Sequence, residues 1–208
     1  MASIPDAQHD QARLFWDVDT QVDFMLPEGK LYARGAEQIL PRLMELTQYA
    51  RKQRILVVAS MDAHHSDDPE FNQWPLHCLV GTPGQEKVKE TKLDTACVIR
   101  NVPTEIPQDL SHFEQVILEK QAVDVFTNPN TEALLQRLGR REVTLYGVVT
   151  EVCVGLAARG LLDRGYKVRV VTDAIRALDE ESGKKALDEL ARRGAELVST
   201  SEVVRRAA

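Results

Sequence analysis

The most constraining feature of this sequence is a buried strand that runs directly into a helix carrying a cysteine. Residues Glu142–Val149 form an apolar, β-branched run that predicts a buried strand. Thr150 offers a side-chain oxygen that can cap a helix, with Glu151 in the first turn. Small and apolar residues follow at helical spacing, so Cys153 is predicted in the first turn of that helix.

Two interpretations of Cys153 follow from this placement. The unpaired amides and the positive end of the helix dipole favour a thiolate over a thiol, and the same amides can hold a developing oxyanion. Ligands of open α/β sheets usually bind at this end of the strands. On the other interpretation, a cysteine among Val, Gly and Ala is a small buried apolar residue. The strand and helix alone do not choose between a nucleophile and a core residue.

The rest of the chain alternates predicted strands with predicted helices. The strands are expected at Leu14–Asp19, Ile55–Ser60, Ala96–Ile99, Gln115–Glu119, Lys167–Thr172 and Glu196–Ser199, and the helices at Ala36–Arg54, Thr131–Leu138 and Asp179–Arg193. This alternation predicts an α/β fold of three layers, α/β/α, with a mostly parallel, Rossmann-like sheet. We expect one domain over residues 1–208, with residues 1–11 flexible. The long loop Met61–Lys92 is of a length that is usually functional.

Composition narrows the classes of partner. The formal net charge of −6 and the scattered basic residues give no indication of nucleic-acid binding. No apolar run is long enough to span a bilayer, and the polar N-terminal segment does not resemble a signal peptide. Three cysteines at irregular spacing argue against a disulfide framework and for a reducing compartment. We therefore expect a cytoplasmic protein with a small-molecule substrate.

Reactive side chains stand at the ends of four predicted strands. Asp19, Asp62 and Lys120 follow three of them, and Cys153 follows the central one. A thiol nucleophile needs a group that takes its proton and a charge that stabilises the thiolate. Asp19 suits the first role and Lys120 the second. The alternative is an Asp–Lys ion pair between neighbouring loops, although buried pairs of this kind are costly.

A second cluster of candidate ligands lies in the long loop. Asp62 and His64 are two residues apart and can point the same way in an extended segment, and His77 follows in the same loop. One carboxylate and two imidazoles suit Zn²⁺, Fe²⁺ or Mn²⁺ with water at open positions. His65 competes with His64 and His77 for the ligand role, and a loop rich in His and Asp is often only solvated.

Three motifs resemble those of the isochorismatase-like cysteine hydrolases. The segment V-D-T-Q-V-D-F at 18–24 resembles the family's V-D-x-Q-x-D-F opening. W-P-L-H-C at 74–78, followed by G-T-P-G at 81–84, resembles a segment of the nicotinamidase branch. G-V-V-T-E-V-C-V at 147–154 is similar to the nucleophile motif of the family. The matches run in order from Leu14 to about Thr172, with Lys120 between the second motif and the third.

The resemblance implies roles for individual residues. Asp19, Lys120 and Cys153 fall on the catalytic triad of the family. The backbone amides of Val149 and Cys153 fall on its oxyanion hole, which follows a cis peptide bond, here between Val148 and Val149.

The same resemblance implies a metal centre and a pocket. Asp62, His64 and His77 fall on ligands of one divalent ion, Zn²⁺ in the first place and Fe²⁺ or Mn²⁺ as alternatives. In nicotinamidases this ion holds the pyridine nitrogen. Glu70 is a further contact in some members. Phe24 and Trp74 match aromatic pocket positions, although ordinary core packing would also explain them.

The activity implied is that of a metal-assisted nicotinamidase. Such an enzyme hydrolyses nicotinamide, or a close heteroaromatic carboxamide, to the acid and ammonia through a thioester. Val22 stands where the family usually has Asn, so the pocket need not be standard. The alternatives are hydrolysis of another small amide or ureide, and a non-catalytic binding domain on the same fold. The resemblance also implies a homo-oligomer and a role in NAD salvage.

Overall fold

A computed structural model of the protein describes residues 13–139 and 141–205; the segment 1–11, predicted flexible, lies outside them. Within the described residues, seven strands form one sheet with the order β3-β4-β2-β1-β5-β6-β7, and all neighbours pair in parallel. The strands are β1 (Arg13–Val18), β2 (Val57–Asp62), β3 (Ala96–Ile99), β4 (Gln115–Lys120), β5 (Glu142–Val148), β6 (Lys167–Arg176) and β7 (Glu196–Val198). The predicted α/β class and parallel sheet are confirmed.

Helices cover both faces of this sheet. They are α1 (Val22–Met25), α2 (Leu40–Gln53), α3 (Thr131–Leu138), α4 (Gly155–Asp163), α5 (Glu180–Arg192) and α6 (Thr200–Arg205). Successive side chains of a strand point to opposite faces. Accordingly, Trp16 of β1 packs in a core with α3, α4 and α5, and Phe15 packs in a second core with α1, α2 and α6. None of the described helices combines the length and the apolar content needed to cross a membrane.

The order of the strands creates a crevice beside β1. The chain leaves β1 toward α2 on one face of the sheet, whereas it leaves β5 toward α4 on the other face. Neighbouring parallel strands whose connections diverge in this way leave a gap at their carboxyl ends, where ligands of α/β proteins bind.

Gly147 allows β1 and β5 to approach each other closely. It has φ of 116°, and a Cβ atom added there would lie 2.1 Å from the carbonyl oxygen of Val18. Only glycine combines this backbone conformation with so short a distance between strands. The ends of β1 and β5, which lead to Asp19 and Cys153, are therefore held side by side.

The turn after β5 differs from the prediction. Thr150 was expected to cap a helix, but Thr150–Val154 form a π-helical turn whose N-cap is Val149, without a side-chain cap. The reason is that the N–H of Val154 donates to the carbonyl of Val149, which opens the turn one residue early. Glu151 does lie in the first turn, and its carboxylate accepts the backbone N–H groups of Leu178 and Asp179, each at 2.9 Å.

Candidate active site

The four predicted strand-end residues meet at the carboxyl-terminal edge of the sheet. Asp19 directly follows β1, with φ of 49°, and Asp62 and Lys120 are the last residues of β2 and β4. Cys153 lies in the π-helical turn after β5. All four are buried.

Lys120 is the common neighbour of the other three. Its Nζ lies 3.0 Å from Asp19 Oδ2 and 3.9 Å from Cys153 Sγ, and it donates a hydrogen bond to Asp62 Oδ1. Burial opposes the charged form of Lys120, but the carboxylates of Asp19 and Asp62 raise the pKa of this amine well above its ordinary value. The site thus contains a fixed ammonium group within reach of the sulfur.

Asp19 is arranged to exchange a proton with Cys153. Its Oδ1 accepts a hydrogen bond from the Ser60 hydroxyl at 2.6 Å, and its Oδ2 lies 3.0 Å from the Lys120 ammonium, which is 3.9 Å from Cys153 Sγ. Burial raises the pKa of Asp19 above its ordinary value, although Lys120 and the Ser60 hydroxyl act in the opposite direction. A buried carboxylate with a raised pKa is a better proton acceptor than an exposed one.

The surroundings of Cys153 act in opposite directions on the charge of its sulfur. Burial raises the pKa of this thiol well above its ordinary value; Lys120 acts in the opposite direction, and the carboxylates of Asp19 and Asp62 act in the same direction as burial. Attack by the sulfur therefore depends on a neighbouring proton acceptor, and Asp19 is placed for that role. The sequence showed the helix N-terminus but not the depth of burial.

The candidate oxyanion-hole residues lie in the same turn. The peptide bond between Val148 and Val149 is cis, as the resemblance implied. Val149 is the N-cap of the turn that contains Cys153. Backbone N–H groups in the first turn of a helix have no partner within that helix.

Asp62, His64 and His77 converge, together with Glu70, on one point beside Lys120. Their ligand atoms lie within 4.8 Å of one another. Asp62 Oδ2 is 3.7 Å from His64 Nε2 and 3.5 Å from His77 Nε2, and Glu70 Oε1 is 3.7 and 3.8 Å from the same two nitrogens. Asp62 therefore faces the imidazoles with one oxygen and Lys120 with the other. Despite burial, Lys120 lowers the pKa of Asp62 well below its ordinary value.

The cluster fits a divalent cation. His64 Nδ1 is hydrogen-bonded to Asp68 Oδ2 at 2.9 Å, and His77 Nδ1 to the carbonyl of Pro75 at 2.7 Å. Contacts of this kind fix the orientation of imidazole ligands in metal sites. Buried polar atoms normally have a hydrogen-bond partner, but the buried His64 Nε2 has none among the residues that the structure describes. Two imidazoles and two carboxylates are a donor set for Zn²⁺, Fe²⁺ or Mn²⁺.

Backbone contacts decide between the candidate histidines. His64 forms a parallel bridge with Leu79, its N–H donating to the carbonyl of Cys78 at 3.1 Å. The segment after β2 therefore stays extended, so Asp62 and His64 face the same side. His65 points elsewhere and is exposed.

The two predicted pocket aromatics are placed differently. The ring of Phe24 lies 5.2 Å from that of His77, between centroids. Trp74 is half-buried, and its backbone N–H donates to the carbonyl of Glu70. Phe71 was not singled out from the sequence, yet its ring lies 4.9 Å from that of His64. Only its position next to Glu70 could have indicated this.

Val22 does not enter the cluster of reactive groups. It lines an apolar groove of about 570 Å³ with Leu79 and Pro83, whose wall also includes His77. Val22, the position at which the chain departs from the family motif, is therefore a groove residue.

The fold and this site define an isochorismatase-like hydrolase with a parallel α/β sheet. A family model described as isochorismatase domain matches residues 15–202. The chain belongs to the isochorismatase family, and its likeness lies with the nicotinamidase/pyrazinamidase branch. It is a hydrolase that acts on an amide C–N bond.

Three similar proteins illustrate the relationship. Nicotinamidase/pyrazinamidase of Mycobacterium tuberculosis is 29% identical over 195 residues, which cover 88% of this chain and 97% of that protein. The crystal structure of pyrazinamidase of Pyrococcus horikoshii in complex with zinc has 27% identity and a TM-score of 0.74, covering 90% and 98%. The structure of N-carbamoylsarcosine amidase from Thermoplasma acidophilum has 26% identity and a TM-score of 0.72, covering 91% and 96%.

Proposed function

We propose that the protein is a metal-assisted cysteine amidase that hydrolyses nicotinamide, or a close heteroaromatic carboxamide, to the acid and ammonia. The observation that carries this proposal is the position of the Lys120 ammonium. It contacts Asp19, lies 3.9 Å from Cys153 Sγ and pairs with Asp62. One lysine therefore contacts both the acid–thiol pair and Asp62 of the four candidate metal ligands.

Attack on the amide begins with a proton transfer. Asp19 takes the proton of the Cys153 thiol as the sulfur attacks the carboxamide carbon, and Lys120 stabilises the negative charge that develops on the sulfur. The backbone amides of Val149 and Cys153 donate to the oxyanion. The proton held by Asp19 then passes to the leaving nitrogen, so that ammonia departs and a thioester remains on Cys153.

Water completes the cycle. Asp19, ionised again, accepts a proton from the water that attacks the thioester. Collapse of the second oxyanion releases the carboxylic acid, and the proton returns to the sulfur. One residue acts alternately as base and acid, so a raised pKa suits both steps.

The four candidate metal ligands would serve to orient the substrate. Asp62, His64, Glu70 and His77 would hold a divalent ion, for which we propose Zn²⁺. When bound, the ion supplies a Lewis-acid contact for a ring nitrogen. Phe24 and Phe71 provide aromatic surface beside the two histidines, and we propose Trp74 as a further pocket residue.

A second candidate substrate class is a small amide or ureide without a ring nitrogen. The similarity to N-carbamoylsarcosine amidase favours keeping it in view. The buried four-residue cluster favours the heteroaromatic amide, since a ring nitrogen can use it. We further propose a cytoplasmic homo-oligomer that acts in NAD salvage, in keeping with three free cysteines and the family resemblance.

A substrate screen tests the proposal. Ammonia release is measured for nicotinamide, pyrazinamide and a panel of aliphatic amides and ureides, with zinc-loaded protein. Turnover of the two aromatic amides in preference to the others is expected. Preference for a ureide would support the second candidate, and no turnover of any amide would contradict both.

A further inference from the structure

Gln21 is a buried residue whose side-chain amide is hydrogen-bonded to the backbone of Asp62, a candidate metal ligand, and of Gln85. It is 0% exposed. Its Nε2 donates to the carbonyl of Asp62 at 2.8 Å and to the carbonyl of Gln85 at 2.8 Å. Its Oε1 accepts the N–H of Asp62 at 2.7 Å. Both amide hydrogens and the amide oxygen are thus engaged.

These contacts hold Asp62 as a neighbouring strand would. The two main-chain polar groups of one residue are bound by a single side chain, at the point where β2 ends. The contact with Gln85 adds the far end of the loop that carries His64 and His77. The backbone N–H of Gln21 donates to the carbonyl of Asp19 at 2.8 Å, so the same residue is also tied to the segment bearing the acid.

The position of Asp62 matters because its two oxygens have different neighbours. Oδ1 accepts from Lys120, and Oδ2 faces His64 and His77. A small rotation of the Asp62 backbone would move one oxygen away from its partner. Residues behind metal ligands typically change affinity 10–100-fold when mutated.

We propose that Gln21 is a positioning residue for the divalent ion, acting through the backbone of Asp62. This inference rests on the proposed function, since it requires that the cluster binds a metal. A positioning role for Gln21 and a purely packing role predict different metal affinities. A residue that only fills space would affect the stability of the fold and leave the affinity of the folded protein for metal unchanged.

The chain supplies a matched control in Gln115. This glutamine is also 0% exposed, and its Nε2 donates to a backbone carbonyl, that of Thr91, at 3.1 Å. It is the first residue of β4 and lies at the opposite edge of the sheet from the cluster. Gln115→Met therefore removes a buried amide of the same kind without touching the site.

The experiment measures the Zn²⁺ affinity of the full-length protein by competition with a chromogenic chelator. Gln21→Met, Gln21→Asn and Gln115→Met are compared with wild type, with thermal unfolding followed in parallel. We expect Gln21→Met to weaken Zn²⁺ binding about 10–100-fold, and Gln115→Met to bind as wild type does. Gln21→Asn keeps the amide on a side chain that is one methylene shorter, and it should also weaken Zn²⁺ binding. It serves as the test if Gln21→Met does not fold.

Two results would overturn the inference. The first is wild-type affinity in the folded Gln21 variants, and the second is an equal loss in Gln115→Met. A wild-type protein that binds no Zn²⁺, Fe²⁺ or Mn²⁺ would instead contradict the metal centre of the proposed function. The two failures are thus distinguishable by the wild-type measurement alone.

Discussion

Asp19 must be ionised before it can accept the thiol proton, so its pKa sets the acid limb of activity. Burial raises that pKa above 3.8. The active carboxylate form is present above the raised pKa and is lost as the pH falls through it. As the pH is lowered, activity should therefore be lost at a higher pH than it would be with an aspartate of ordinary pKa.

Ser60→Ala tests this assignment. The Ser60 hydroxyl donates to Asp19 and lowers its pKa, so its removal should shift the acid limb of kcat/KM to higher pH. A hydrogen bond to a charged group contributes about 1.5 kcal/mol or more, which corresponds to roughly one pH unit. Ser199→Ala removes a similar bond to Glu202 far from the site and should leave the profile unchanged. An unshifted limb in Ser60→Ala would contradict the role of Asp19.

Two buried lysines separate catalysis from stability. Lys120 pairs with Asp19 and Asp62. Lys87 pairs instead with Asp17, a residue of β1, at 2.6 Å. Replacing either by Met leaves a buried carboxylate without its partner and should cost about 3–5 kcal/mol of unfolding free energy. Only Lys120→Met should also reduce turnover by the folded protein, by about a thousandfold.

Urea unfolding and ammonia release measure these two effects. Comparable turnover loss in the Lys87 and Lys120 variants would mean that the lysine at the site acts through stability alone.

Residue types explain how much of the site could be predicted. Asp19, Lys120 and Cys153 each follow a predicted strand, and the carboxyl ends of parallel strands share one edge. Glu70 and Phe71 lie in a short 3₁₀ turn without a periodic pattern, and only the folded loop brings them to the histidines. The pKa of Cys153 depended on burial, which a local motif does not report.

At the scale of elements, the approach of β5 to β1 decides whether Asp19 and Cys153 meet. Gly147 has φ of 116° and a Cβ there would meet the carbonyl oxygen of Val18. Gly147→Ala should therefore destabilise the protein by about 3 kcal/mol or more, because backbone strain and a clash add. Equilibrium unfolding in urea measures the change.

Gly139 is the matched control for this substitution. It also has positive φ, 62°, but a Cβ there meets none of the described residues within 4 Å. Gly139→Ala should cost only about 1 kcal/mol. Equal losses at the two positions would show that the contact with Val18 does not matter.

The strands and the long helices were predictable, whereas the shortest helices were not. Strands such as Gln115–Lys120 are apolar runs bounded by polar residues, and α5 follows an Asp cap, Asp179, which accepts the N–H of Ser182. Helices α1 and α6 have four and six residues, too few to show a period. The order of the strands depends on contacts between distant segments, which no local pattern encodes.

At the scale of the whole molecule, the metal centre and the acid–thiol pair are adjacent but have different tasks. Removing the metal by chelation should therefore slow turnover of nicotinamide strongly. It should leave alkylation of Cys153 by iodoacetamide within a few-fold of the loaded rate, because Asp19 and Lys120 remain. The rate is read by mass spectrometry, with Cys78 and Cys97 as internal references. Equal loss of both activities on chelation would mean that the metal is needed for the reactivity of the thiol.

The most direct test of covalent catalysis by Cys153 is to locate the acyl group during turnover. Nicotinamide is mixed with the zinc-loaded protein, the reaction is quenched in acid within the first turnover, and the peptides are analysed by mass spectrometry. We expect a nicotinoyl group on the peptide containing Cys153 and none on Cys153→Ala, which should also release no ammonia. Ammonia release by Cys153→Ala, or turnover by wild type without acylation of Cys153, would contradict covalent catalysis by this residue.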